Sequence, residues 1–127
     1  VIVLDASVLI AHLDERDAHH VKAGQLLAES GAEALGASTV SLAKTLVAPA
    51  RAGRLADASA ALERLGVVEL TLGAKAPALL AQLRADTGRK LPDCAVLLAA
   101  QERDGVVASF DAALIGAAVD LKLATLG

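Results

Sequence analysis

The chain has 127 residues, the size of one ordinary domain, and is read as a single domain over 1–127. Apolar residues make up 55% and the mean hydropathy is +0.55, so a packed core can form and disorder is excluded. Twelve basic against 15 acidic residues give a net charge of −3, which excludes a global basic field but not a local patch that meets nucleic acid.

Val1 to Leu4 is a short β-branched run, apolar on both faces, as in a buried parallel strand. Asp5 follows it, and Ala6 to Leu13 reads as a short apolar helix. Asp17 is placed to cap a helix over Ala18–Ser30, stopped by Gly31. Ala34 to Ala37 is a weak second strand. Ser38 and Thr39 are good N-cap residues for a helix to about Ala50. Leu55–Leu65 is a further alanine-rich helix, stopped by Gly66, and Val67–Leu70 a third strand. Helices are expected over Ala74–Asp86 and Asp93–Arg103, with the loop Thr87–Pro92 between them. Val106–Ala108 is a fourth strand, Asp111 opens a short helix, and Leu121–Ala124 is a candidate fifth strand. Strands alternating with helices predict a three-layer α/β/α fold around a central parallel sheet of four to five strands.

In open parallel sheets the functional crevice lies at the carboxyl ends of the strands. Asp5, Asp93 and Asp111 all fall there in this reading. Clustered carboxylates repel one another and call for a cation; oxygen ligands without His or Cys point to Mg²⁺ or Mn²⁺. Each of the three aspartates is equally placed to cap a helix, and spacing alone does not choose between the two roles.

Four segments together carry a family resemblance. Val1–Ala11 (VIVLDASVLIA) resembles the opening of PIN-domain ribonucleases, Ser38–Val47 (STVSLAKTLV) their second motif, Arg89–Ala95 (RKLPDCA) the third and Ala108–Asp111 (ASFD) the fourth. The alanine- and leucine-rich style is similar to that of VapC toxins of bacterial toxin–antitoxin modules. The resemblance implies a PIN-like fold and a Mg²⁺- or Mn²⁺-dependent endoribonuclease that cuts structured RNA such as tRNA. It implies metal binding by Asp5, Asp93 and Asp111, with Ser7 and Ser109 positioning those carboxylates. It further implies a VapB-type antitoxin as partner and a homodimer.

One position departs from the pattern. The second motif normally carries a glutamate where this chain has Lys44, and Val40, Ser41, Val47 and Ala48 supply no acid one turn away. Three carboxylates with Lys44 carry the same net charge as four carboxylates with one Mg²⁺. An ammonium in the cluster would replace much of the cation's electrostatic role without activating water, so weakened metal binding and cleavage are expected. The opposing expectation is that Lys44 extends to solvent and never meets the cluster.

Arg84, Arg89 and Lys90 lie near Asp93 and are candidates for contacts to RNA phosphates. His19 and His20 are neighbours on a helix and so cannot share a metal; they read as surface residues. Phe110 is the only aromatic residue, which argues against a stacking platform for single-stranded nucleic acid. The lone Cys94 forms no internal disulfide and suits a reducing cytoplasm. No apolar run approaches the roughly 20 residues needed to cross a bilayer. Three rival readings remain: a PIN domain that has lost cleavage but still binds antitoxin or RNA, a haloacid-dehalogenase-type phosphatase, and a receiver domain. The phosphatase lacks its second aspartate, since Ser7 stands there, and the receiver lacks its acidic pair.

Overall fold

The computed structural model describes residues 1–127. In chain order the elements are β1 (Ile2–Leu4), α1 (Ala6–Leu13), α2 (His20–Glu29), β2 (Leu35–Ser38), α3 (Thr39–Arg51) and α4 (Leu55–Leu65). There follow β3 (Val67–Leu70), α5 (Ala76–Thr87), α6 (Leu91–Arg103), β4 (Val106–Ala108), α7 (Ala112–Asp120) and β5 (Ala124–Leu126). The five strands form one parallel sheet in the order β3-β2-β1-β4-β5.

β1 lies at the centre and is buried along its whole length, as its two-faced apolar sequence requires. Its side chains alternate between two cores. Val3 packs with Val107, Leu97 and Leu114 beneath α5, α6 and α7. Ile2 and Leu4 pack with Val8, Leu9, Ala23 and Leu62 beneath α1, α2 and α4. Helices therefore cover both faces, which makes the three expected layers. In β2, Gly36 leaves room that a side chain would fill: a Cβ there would come within 2.7 Å of the Leu70 side chain. That close approach explains a strand so poor in β-forming residues.

Most expected boundaries hold within two residues, and the exceptions have local causes. α6 begins at Leu91, with Pro92 in its first turn, so Asp93 lies inside the helix and does not cap it. α2 begins at His20 and not after Asp17, whose carboxylate accepts instead from the His19 N–H at 2.8 Å. The fifth strand comes later than expected. Leu121 and Leu123 pack against the core below α7, and Lys122 turns the chain with φ 62° before Ala124 pairs with Val106. No helix is long and apolar enough to cross a membrane.

Candidate functional site

β1 ends at Leu4 and β4 at Ala108, and the two strands pair in register, so the residues that follow them emerge side by side. Asp5 follows β1. Its carboxylate caps α1 by accepting from the Val8 N–H at 3.2 Å. It is 6% exposed, and its two oxygens are taken by two serines. Ser7 Oγ donates to Oδ1 at 2.6 Å and Ser109 Oγ to Oδ2 at 2.5 Å. Each serine also accepts from the chain after β4: Ser7 Oγ from the Phe110 N–H at 3.0 Å, Ser109 Oγ from the Asp111 N–H at 2.9 Å. Burial raises the Asp5 pKa above its usual value, opposed by the hydrogen bonds from Ser109, Ser7 and Val8; the charge of Asp93 raises it further.

Asp111 caps α7, accepting from Ala113 and Leu114 N–H. Capping and membership of the acid cluster thus coincide in Asp5 and Asp111. Asp93, in the first turn of α6, is bound by Arg89: Nε and Nη2 reach its Oδ2 at 3.1 and 2.8 Å. The same Nη2 lies 3.6 Å from Asp111 Oδ2. These contacts raise the Arg89 pKa, the Asp93 hydrogen bond first among them. Arg89, expected only as a phosphate contact, thus ties two of the cluster's acids together. Of the other basic candidates, Arg84 donates to the Arg89 carbonyl at 3.0 Å and supports that loop, while Lys90 is exposed. Neither lines the cavity at the acids.

A cavity of about 270 Å³ opens between Asp5, Ser7, Asp93 and Asp111, and Lys44 lines it too. α3 carries Lys44 there. Its first turn is fixed by Ser38, whose hydroxyl accepts from the Ser41 N–H at 3.1 Å. Lys44 therefore reaches the same cavity, but it is exposed and pairs with none of the three carboxylates. Two lining residues were not found by sequence reasoning, Asp17 and His19. Their signal was absent because Asp17 read as a cap and His19 as a surface residue. His19 stacks on Phe110, with ring centroids 4.9 Å apart and planes 20° apart. The count of one aromatic residue missed this histidine partner. His20 points elsewhere, with Nδ1 2.7 Å from the Ala11 carbonyl.

No three His, Cys, Asp or Glu side chains converge closely enough to hold a metal ion. Asp5 accepts from two serines and the Val8 N–H, Asp93 is held by the Arg89 guanidinium, and Lys44 lines the same cavity. The residues as arranged do not fit a divalent cation, because a guanidinium already holds Asp93 and hydroxyls hold both oxygens of Asp5. Lys44 also lines a second, larger groove of about 740 Å³ between α1, α3 and α4, with Leu13, Ala48, Pro49 and Ala61 on its apolar side.

Solved structures share this architecture. The sarcin–ricin-loop-cleaving toxin VapC20 of Mycobacterium tuberculosis superposes with a TM-score of 0.71 at 20% identity, covering 92% of this chain and 95% of its own. A toxin–antitoxin complex from Klebsiella pneumoniae gives 0.73 at 19%, covering 87% of both chains. FitAcB from Neisseria gonorrhoeae gives 0.71 at 18%, covering 100% and 97%. At such identities the likeness is one of fold. No curated protein matches the chain by sequence. The PIN domain model matches residues 2–119, nearly the entire chain, and the protein belongs to the PIN domain family.

Proposed function

We propose that this chain is the toxin component of a type II toxin–antitoxin pair. Its activity is that of an endoribonuclease on structured RNA, with tRNA as the first candidate substrate, and its cleavage is weakened by Lys44. The observation that carries the reading is one cavity at the carboxyl ends of β1 and β4 that gathers Asp5, Asp93 and Asp111 together with Lys44. Asp5, Asp93 and Asp111 are the proposed metal-binding acids, and Ser7 and Ser109 hold Asp5 in place. A Mg²⁺ or Mn²⁺ ion would supply water activation and charge neutralisation at a phosphodiester, and these acids could hold it only once Arg89 releases Asp93. Here Arg89 competes with such an ion for Asp93 and Asp111, and Lys44 adds positive charge to the same cavity. The groove between α1, α3 and α4 is the proposed seat of a VapB-type antitoxin; similar folds are solved in toxin–antitoxin complexes. A homodimer is proposed from the resemblance to VapC toxins.

A second reading is favoured by one contact. The span of Arg89 between Asp93 and Asp111 suits a domain that binds antitoxin or RNA without cutting. One experiment separates the two readings: Mg²⁺-dependent cleavage of total tRNA by this chain and by Lys44→Glu, each with an Asp5→Ala control. Lys44→Glu is expected to cut at least about tenfold faster, and Asp5→Ala to abolish the gain. Failure of both folded proteins to cut any RNA overturns the nuclease reading and leaves the binding module.

A further inference from the structure

We propose that the stacked His19–Phe110 pair is a base-binding platform at the rim of the acid cavity. The imidazole face turned away from Phe110 takes an unpaired nucleobase of the bound RNA. This inference rests on the RNA reading above.

Three observations carry it. First, the pair is fixed to the cluster. Phe110 lies between Ser109 and Asp111, and its N–H donates to Ser7 Oγ at 3.0 Å. A base on this platform would therefore stand at a set distance from the acids. Second, one face is open. The His19 side chain is 51% exposed and lines the same cavity as Asp5 and Asp111, while Phe110 covers its other face. Asp17, which lines the same cavity, anchors the histidine by accepting from its backbone N–H at 2.8 Å and lies 3.8 Å from Nδ1. Third, one cation stands beside the pair. Lys22 Nζ sits 5.4 Å from the Phe110 ring centroid, where it can meet the phosphate next to the stacked base.

The chemistry names the ligand class. Stacking on a flat ring tolerates any base, because every base has a π-face. Base-specific RNA recognition uses unstacked loop nucleotides splayed onto aromatic side chains. The expected occupant is a flipped-out loop or end nucleotide next to the phosphate that enters the acid cavity.

The test uses the intact chain in chelator with short single-stranded oligoribonucleotides, each carrying 2-aminopurine at one position, and with abasic counterparts. Fluorescence is expected to be quenched at one register. His19→Ala should relieve that quench and weaken binding about tenfold, and His19→Phe should restore both. The abasic oligonucleotide at that register should lose the same affinity and no longer respond to His19→Ala. RNA that binds with a quench and affinity unchanged by His19→Ala overturns the platform alone. RNA that does not bind to any of the three proteins overturns the RNA reading and the platform with it.

Discussion

Ser109 Oγ donates to Asp5 Oδ2 at 2.5 Å and joins the ends of β4 and β1 across 104 positions of sequence. Ser7 donates to the other oxygen, so both oxygens of one buried carboxylate are hydrogen-bonded from the protein itself. Removing the Ser109 hydroxyl leaves the buried Oδ2 unpaired, whereas Oδ1 without Ser7 still accepts from the Val8 N–H. Ser109→Ala is expected to lower stability by about 1–3 kcal/mol, read as the shift in urea midpoint. An unchanged midpoint would mean that this hydrogen bond contributes nothing net.

Asp5 makes stability depend on pH in a defined direction. Its folded pKa lies above the unfolded value of 3.8, chiefly because burial disfavours the charge. The folded state therefore binds the proton more tightly. The Asp5 contribution is fully present below the unfolded pKa and is lost as pH rises through the folded one. Asp5→Asn keeps an acceptor for the Val8 N–H and carries no charge. It is expected to raise the urea midpoint at about pH 8 and to change it little at about pH 3.5. A lower midpoint at both values would contradict this.

Asp111 holds two roles that substitution can part. As the N-cap of α7 it accepts from two backbone N–H groups. Asp111→Asn keeps the cap, and Asp111→Ala removes it at about 1 kcal/mol. Both remove the charge. In the Lys44→Glu background both should abolish tRNA cleavage, although only the alanine variant is destabilised. Full activity in the asparagine variant would remove Asp111 from the proposed site.

Arg89 binds Asp93 and approaches Asp111, and it competes with any cation for them. Arg89→Gln is expected to tighten Mn²⁺ binding, measured by titration calorimetry, about tenfold at low salt. Its cost in stability should stay below about 1 kcal/mol, because the pair is partly exposed. Weaker Mn²⁺ binding in the variant would show that the guanidinium organises the acids and does not block them.

The parts of the molecule legible in sequence are those set by local rules. The buried Val1–Leu4 and Val106–Ala108 runs announce central strands, and Gly66 and Ser38 mark helix ends where the chain has them. From those strands follows the meeting of Asp5 with Asp111. What escaped depends on tertiary placement. The Leu121–Leu123 stretch has the composition of a strand, yet its leucines pack under α7 and the ladder begins at Ala124. Pro92 fits within the first turn of α6, which moves Asp93 from cap to interior and frees its carboxylate for Arg89. The stack of His19 on Phe110 joins residues 91 positions apart, and no periodicity signals it.

The pairing of β1 with β4 also governs when the site comes into being during synthesis. The chain is made from its amino end, and Asp5 leaves the ribosome long before Ser109 and Asp111. Until residues 106–111 emerge, β1 lacks its β4 neighbour and Asp5 lacks one of its two serine donors. A nascent chain halted in α6 or earlier has no assembled cavity. If the protein acts on RNA, the machine that translates it is spared until β4 and Asp111 have been added, an order imposed by the non-local parallel pairing alone.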